Sequence, residues 1–395
     1  MRKTDVVVAG GGPVGLCLAV LLVRRGISVI VVEAAPAPTE DLRASTFHPP
    51  TLDMLDRIGV GQVLVEQGLP CPHWQVRLHP SGARAVFDLG VLAGETAHPY
   101  RLQCEQWKLS RALRAMLPEQ VLDGTEVTGF AQGDDGVTVE VSGPNGMETI
   151  SARYLVGCDG ARSVVRAGLG LAFEGETYPE TTLLATTVFP FEDHLEGLSN
   201  VTYCWREGAG NFSLLRVPGR WRVSIYPRED VSLEEQMTPE AMNESLQAIV
   251  PRAAAYQVME SRPYRVHMRM ASRYRVGRVA LAGDAAHINS PAGGMGLNGG
   301  IHDAFELADA LAAMLLDGAG EARLDLYDAR RRPIARDEIL AQADRNRSRM
   351  RERDPERRLA LLADLQAITA DPARLRAHLL KSSMIDGLRR AAAVV

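Results

Sequence analysis

Asp5-Val6-Val7-Val8-Ala9 followed by Gly10-Gly11-Gly12-Pro13-Val14-Gly15 is the stretch from which the fold can be read. A β-branched run meets a G-x-G-x-x-G, Leu16 to Arg25 is built from helix formers, and Ile27-Ser28-Val29-Ile30-Val31-Val32 ends in Glu33. Strand, tight turn, helix and strand in that order make a β-α-β unit. Glycines at Gly10, Gly12 and Gly15 let the backbone approach a pyrophosphate with no Cβ in the way. The helix that opens at Pro13 and Val14 offers it unpaired N–H groups and the positive end of a dipole. Glu33 stands 18 residues past Gly15, at a strand end where a carboxylate can accept both hydroxyls of an adenosine ribose. A merely structural turn needs neither the flanking elements nor the acid, so the stretch reads as a dinucleotide site.

The surrounding chain sets bounds. At 395 residues it exceeds one typical domain, which predicts two domains or one with a large insertion. Composition is that of a globular protein, 46% hydrophobic and 24% charged, and a net charge of -5 gives no reason to expect nucleic acid or an anionic membrane as partner. Small molecules are the expected partners. Cys17, Cys71, Cys104, Cys158 and Cys204 are widely spread with no C-x-x-C, so they read as buried apolar side chains in a reducing, cytoplasmic compartment. Met1-Arg2-Lys3 begins like a leader, but the apolar stretch after it is broken by glycines and Pro13, and the run Val14 to Val23 is too short to span a bilayer. No histidine has ligand spacing with cysteines or acids, so no metal is expected.

Further along, Thr51 is expected to cap a helix over Leu52 to Ile58, and Gln75 to Asp88 alternates around Pro80-Ser81-Gly82 as a hairpin outside the nucleotide domain. Tyr100 to Gln103 reads as a strand, followed by a helix from Gln106 with Leu109, Leu113 and Met116 on one face. Val137–Val141 and Ile150–Val156 are strands joined at Gly143-Pro144-Asn145-Gly146, and the second runs into Gly157-Cys158-Asp159-Gly160. Short runs at Thr182–Phe189, Val201–Trp205, Phe212–Val217 and Trp221–Tyr226 predict an antiparallel sheet, and Met237 to Pro251 a helix. A strand from Arg278 reaches Gly283-Asp284, a glycine-rich loop covers 291–300, and a long helix follows through Phe305 and Leu311. The arginines from Arg345 to Arg358 are interleaved with acids and read as a solvated helix face.

Three separated segments thus share one form, an apolar strand ending in Gly or Asp-Gly at a turn: Gly10 to Gly15, Gly157 to Gly160 with Arg162 and Arg166 after it, and Gly283-Asp284. In a parallel sheet such ends gather along one edge and can line one extended cofactor. On these motifs the chain resembles the flavin-dependent aromatic hydroxylases of the para-hydroxybenzoate hydroxylase type, the class A flavoprotein monooxygenases, over about Asp5 to Pro333. The resemblance implies an α/β fold: a Rossmann-like FAD-binding domain with a parallel sheet (1–70, 98–178 and 266–340), a substrate domain with a mostly antiparallel sheet (71–97 and 179–265), and C-terminal helices (341–395). It is similar to the shorter members, without the thioredoxin-like third domain of longer phenol hydroxylases.

The resemblance also implies roles. Non-covalent FAD would be held by Glu33 at the adenosine ribose, with Arg43 close to the cofactor, Arg101 and Gln103 at the ribityl chain and Asp284 on a ribityl hydroxyl. Asp159 belongs to a motif tied to both FAD and the nicotinamide donor, with a purely structural role as the alternative. The loop has a reading of its own: Gly293, Gly294 and Gly296, with Met295, Leu297 and Asn298, expose successive N–H groups at a helix start and suit the negative N1–C2 edge of reduced flavin. NAD(P)H and O2 would be co-substrates, and hydroxylation of an electron-rich aromatic ring would run through a flavin C4a-hydroperoxide. On the substrate side Tyr203 can hydrogen-bond or deprotonate a phenol, Arg216 or Arg222 can bind an acidic substituent, and Pro291 can present its carbonyl. Which strand face points inward is open, and for His48 and His287 packing is preferred over catalysis. Competing readings are a flavin dehydrogenase or reductase of the same fold, a halogenase, disfavoured because Trp205 and Trp221 lack a W-x-W-x-I-P setting, and a binding protein that had lost the flavin loop. A monomer and a homo-oligomer are both compatible.

Overall fold

A computed structural model describes residues 2–40, 44–207, 210–228, 230–291 and 293–395. Its first sheet has the parallel order Val279–Leu281, Gly146–Gly157, Arg2–Ala9, Val29–Val32, Val121–Leu122, with Arg275–Val276 antiparallel at one edge. Val6, Val7 and Val8 are fully buried because helices cover both faces of this central strand, which is why it is an unbroken apolar run instead of an alternating one. The helix Pro13–Val23 packs against the long helix Gly296–Leu316. The hairpin partner Gly136–Gly143 pairs with Gly146–Gly157 through the expected turn, Gly143 opposite Gly146. The carboxyl ends of Arg2–Ala9, Gly146–Gly157 and Val279–Leu281 are neighbours, so the three glycine turns meet at one edge.

The second sheet runs His287–Ile288, Val258–Ala271, Phe173–Thr187, Arg220–Ile225, Asn211–Val217, Val201–Arg206, His73–His79, Arg84–Asp88. All neighbours are antiparallel except Val201–Arg206 and His73–His79, which pair in parallel from Thr202–Gln75 to Arg206–His79. The hairpin expected around Pro80 therefore belongs to this sheet. Its longest addition is Val258–Ala271, a strand the sequence does not announce: among its residues only Val266 and Ala271 are buried, so it lacks the alternation by which strands are recognised.

Several local expectations are corrected. The helix expected at Thr51 begins earlier, as Pro49–Asp56 with His48 at its N-cap, because prolines suit the first turn, whose N–H groups have no partner. Met116 lies beyond the helix Gln106–Ala115 and is exposed, whereas Leu109 and Leu113 are buried. The helix expected over Met237 to Pro251 is shorter, Pro239–Gln247, entered at Thr238, which caps it, and a separate short helix, Leu233–Gln236, precedes it. The largest correction concerns part of the stretch Arg345 to Arg358: Arg345, Arg351, Arg353 and Arg357 are exposed as expected, but Arg347, Arg349 and Arg358 are not. Arg358 is 2% exposed and its guanidinium donates to the carbonyls of Glu352 (2.5 Å) and Arg206 (2.6 Å), while Arg347, Arg349 and Arg351 line an internal cavity. Acids interleaved in sequence do not make a helix solvated when the opposite wall is a sheet.

The helices Pro355–Ala370 and Pro372–Ser382 close a separate apolar cluster in which Leu362, Leu365 and Leu379 pack with Trp74, Phe87 and Leu92. The segment between is anchored by Trp205 Nε1 donating to the Arg349 carbonyl (3.1 Å) and by Asn211 Nδ2 donating to that of Met350. Among the described residues no helix is long and apolar enough to cross a membrane, and Cys17, Cys71, Cys104 and Cys204 are free and buried, Cys158 free and half-buried.

Candidate active site

One cavity of about 940 Å³ runs from the glycine turns of the first sheet to the inner face of the second. At its nucleotide end the wall is Gly10, Gly12, Pro13, Val14 and Glu33. Gly10 has φ +103°, and a Cβ there would stand 2.4 Å from the Cys158 carbonyl oxygen, so only glycine fits. A Cβ on Gly15 would meet the Gly10 carbonyl at 2.1 Å, which is what close packing of helix on turn requires; Gly15 itself is behind the wall. Gly12, by contrast, has open space where its Cβ would be. Glu33 lines the cavity and braces it, accepting from Gly11 N (2.5 Å) and Ala35 N (2.8 Å). A glycine cradle at a helix start with a carboxylate beside it is the donor and acceptor set that a dinucleotide needs, so FAD fits the residues present.

Asp159 is on the wall, yet both its oxygens are engaged: Oδ1 accepts from Ser163 Oγ (2.6 Å) and Oδ2 from Val165 N (3.1 Å). It thereby braces the start of the short helix Val164–Gly168, whose N-cap is Ser163. Arg166, within that helix, donates to the carbonyls of Ala161 (2.8 Å) and Ala285 (2.9 Å) and lies 3.7 Å from the Phe173 ring. The second motif is thus tied to the third, where Asp284 stands exposed on the wall.

Behind that loop lies a fully buried cluster that no sequence motif signalled. Asp303 accepts from Gly283 N (3.1 Å), His287 Nε2 (2.8 Å) and Arg331 Nε (2.7 Å), and Tyr327 donates to the Leu281 carbonyl (2.7 Å). His287 and Arg331 hold the Asp303 carboxyl below its usual range against the opposing effect of burial. An Asp seven residues into the long helix and an Arg in the next could have been noticed only as charges at apolar-face positions. His48 is likewise packed, its Nε2 against the Gly293 carbonyl at 2.8 Å, and burial pushes its pKa down to about 3. Both histidines are packed and hydrogen-bonded in the interior.

Pro291, Gly293, Gly294, Met295, Gly296 and Leu297 line the cavity where the long helix begins. The first helical hydrogen bond runs from Gly299 N to Met295 O (2.8 Å), so the amides of the first turn before it have no helical partners, while that of Gly294 donates to the Pro291 carbonyl (3.0 Å). Asn298 is not on the wall. It is fully buried, its Nδ2 donating to the carbonyls of Thr46 (2.9 Å) and Gly294 (2.6 Å) and its Oδ1 accepting from His48 N (2.8 Å), which makes it the brace of the loop. Gln103 is also off the wall, fully buried against Thr46 and Ser45. Arg101 is on it but lies 4.9 Å over the Trp74 ring, toward the second sheet. Arg43 falls outside the described residues.

The second sheet settles its own inward face: Ser213, Leu215, Arg222, Ser224 and Tyr226 line the cavity together with Tyr203 and Tyr264. Arg216 does not. Its strand position is one residue out of phase with Leu215, so it points to the other side and pairs with Glu192 at 2.6 Å beside Trp221. Arg222 Nη1 donates to Ser45 Oγ (2.8 Å), and burial lowers the guanidinium to about 10. Burial raises the Tyr226 phenol well above its normal value. Tyr264 and the cations of the 347–351 segment are cavity residues that sequence reading missed.

Comparisons with known proteins agree with this geometry. A family model described as an FAD binding domain matches residues 3–341. The chain is 36% identical over 391 residues to a para-nitrophenol 4-monooxygenase of Pseudomonas sp. (strain WBC-3), covering 97% of this chain and 96% of that one. It is 33% identical to a pentachlorophenol 4-monooxygenase of Sphingobium chlorophenolicum, over 84% of this chain and 62% of the other. The crystal structure of p-nitrophenol 4-monooxygenase PnpA from Pseudomonas putida DLL-E4 superposes with a TM-score of 0.91 at 34% identity, covering 98% and 99% of the two chains. The chain therefore belongs to the FAD-binding-domain family and, within it, to the class A flavin-dependent aromatic hydroxylases.

Proposed function

We propose that this protein hydroxylates a small phenol with NAD(P)H and O2, and that the cavity joining the glycine cradle to the tyrosines of the second sheet is where it does so. The observation that carries the reading is the continuity of that cavity: one space is walled by Gly10, Gly12 and Glu33 at one end and by Tyr203, Arg222 and Tyr226 at the other. The relatives named above act, by their names, on nitrophenol and pentachlorophenol.

The residues divide the work. Gly10, Gly12, Pro13 and Val14 would hold the pyrophosphate, Glu33 the adenosine ribose and Asp284 the ribityl chain, while the amides from Met295 to Leu297 would suit the edge of the isoalloxazine that becomes negative on reduction. When bound, the flavin supplies hydride acceptance and oxygen activation. Gln103 and Asn298 act at one remove by fixing Thr46 and the Gly294 loop, and Asp159 by holding Ser163 at the start of a helix. Tyr203 hydrogen-bonds the substrate phenol, with Arg101 beside it stabilising the developing negative charge on the phenol oxygen. Apolar walls at Leu215 and Val76 exclude water from the reacting ring. Residues 1–70, 98–178 and 266–340 form the cofactor domain and 71–97 with 179–265 the substrate domain. The free cysteines, buried except for the half-buried Cys158, support a cytoplasmic setting.

The test is to purify the protein, record its visible spectrum, and follow NAD(P)H oxidation with a panel of phenols under ¹⁸O2. A yellow protein that places ¹⁸O in the product is expected. A colourless protein without FAD affinity overturns the reading, and substrate-dependent turnover with no label in the product favours a dehydrogenase.

A further inference from the structure

Charge is divided along the cavity. Its acidic lining residues among those described, Glu33, Glu126, Asp159 and Asp284, all belong to the nucleotide end. The other end carries cations from the second sheet, Arg222, Arg262 and Arg265, and from the segment after residue 341, Arg347, Arg349 and Arg351. Among the described residues no carboxylate lines that end.

Within it Arg349 is the informative group. Arg347 has Asp344 at 3.7 Å and Arg262 has Glu260 at 3.7 Å, but Arg349 has no carboxylate within ion-pair distance among the described residues. Its charged neighbour is Arg345, and burial and that repulsion both act to lower its pKa. Next to it His378, itself on the wall, is pushed down to about 4 by burial and by Arg349, Arg101 and Lys381, and so is neutral. Trp74 completes the corner: Phe87 stacks on its ring at 3.9 Å and Arg101 lies over it at 4.9 Å, which leaves the indole edge. That edge carries Nε1, a donor that, like Arg101 Nε and Ser382 Oγ, is buried with no partner among the described residues. Trp74 and Ser382 are both cavity residues. Two cations and two orphaned neutral donors, without an acid, form a set that only an acceptor can satisfy.

We propose that Arg349, with Arg101, Trp74 Nε1 and Ser382 Oγ, forms a recognition subsite for an oxygen anion on the substrate ring. The inference rests on the phenol-hydroxylase reading above and deepens it: the accepted substrates are ring compounds with a carboxylate or phenolate oxygen placed to reach Arg349. Arg349, His378 and Ser382 lie beyond the 3–341 region that the family model covers, whereas Trp74 and Arg101 lie within it, so the subsite joins residues of the C-terminal segment to the family region. Unsatisfied donors beside a cation also explain why so polar a corner is retained next to the apolar Trp74–Phe87–Leu379 cluster.

The test uses the FAD-loaded protein titrated with 4-hydroxybenzoate against 4-hydroxybenzamide, and with 4-nitrophenol below and above its own pKa, followed by flavin absorbance and tryptophan fluorescence. At least one anion is expected to bind roughly tenfold to a hundredfold more tightly than its neutral counterpart, the scale of a hydrogen bond to a charged group. A benzoate preference identifies a carboxylate, and tightening only of ionised nitrophenol a phenolate. Arg349→Gln is expected to abolish the preference while leaving 4-hydroxybenzamide binding unchanged, Arg349→Lys to keep part of it, and Ser382→Ala, which leaves the charge in place, to weaken anion binding alone. The inference is overturned if neither anion is preferred, or if the preference survives in both Arg349→Gln and Ser382→Ala, while the wild type still hydroxylates a phenol. Should no phenol be hydroxylated and no FAD bind, it is the broader reading that falls.

Discussion

Gly10 shows how much one residue decides. Its φ of +103° and the 2.4 Å separation a Cβ would have from the Cys158 carbonyl combine a backbone preference with a clash against rigid atoms. Gly10→Ala is expected to cost about 1–3 kcal/mol of strain and to release FAD, measured as loss of the flavin spectrum on desalting; retention of stoichiometric FAD would refute the cradle. Tyr203 is the converse case, a residue whose partner is the substrate. Tyr203→Phe should leave the fold and FAD content intact and lower kcat/KM roughly tenfold to a hundredfold, as expected for a lost hydrogen bond to a developing charge. Arg216, placed with Arg222 by strand phase, instead faces Glu192, so Arg216→Ala should change turnover by less than about twofold while Arg222→Ala impairs it. Sequence could name both arginines; only the sheet, by burying one face against helices and opening the other to the cavity, could choose between them.

At the scale of elements, the long helix Gly296–Leu316 works at both ends. Its first turn faces the cavity, and Asp303 in its body ties it to the loop at Gly283 and to the following helix through Arg331. Removing one partner of a buried pair leaves the other charge uncompensated, so Asp303→Asn should destabilise the protein by about 3–5 kcal/mol, read as a fall in Tm with and without FAD. His48 links the same loop to Pro49–Asp56. Its folded pKa of about 3 lies below the unfolded value, so between about pH 6.5 and 3 the unfolded state binds a proton that the folded state refuses, and stability falls as pH falls through that window. His48→Gln should flatten the acid-side slope of Tm; an unchanged slope would assign it to carboxylates. The elements legible from sequence were those with a local signature: Arg2–Ala9, the glycine turns, the hairpin at Pro80. Val258–Ala271 was not, because its neighbours on both faces are polar or part-exposed, and Arg347 and Arg349 were misread because a helix facing a cavity and a helix facing water show the same charges.

Across the whole molecule, two sheets share one cavity and the C-terminal helices seal its far end. Leu362, Leu365 and Leu379 cover Trp74 and Phe87, and exposed ion pairs from Arg376 and Arg389 to Glu95 pin the last helices to the same region. A chain ending after Asp354 would expose that apolar cluster, and it is expected to aggregate or lose its substrate-induced spectral change while the cofactor cradle stays formed; a soluble truncated protein with unaltered substrate affinity would show the helices to be dispensable. The dinucleotide site was legible because phosphate binding imposes glycines at fixed spacing. The substrate end was not, because it is assembled from residues 74, 101, 203, 222, 349 and 378, which no local pattern relates. The parallel pairing of His73–His79 with Val201–Arg206 has a further consequence, for synthesis. The hairpin that ends at Asp88 has an edge whose partner leaves the ribosome more than a hundred residues later, which at ~5–20 residues per second is on the order of ten seconds. For that time a nascent strand carrying Trp74 and Val76 is open to pairing with another chain, so expression yield should respond more to translation speed across residues 90–206 than to speed elsewhere.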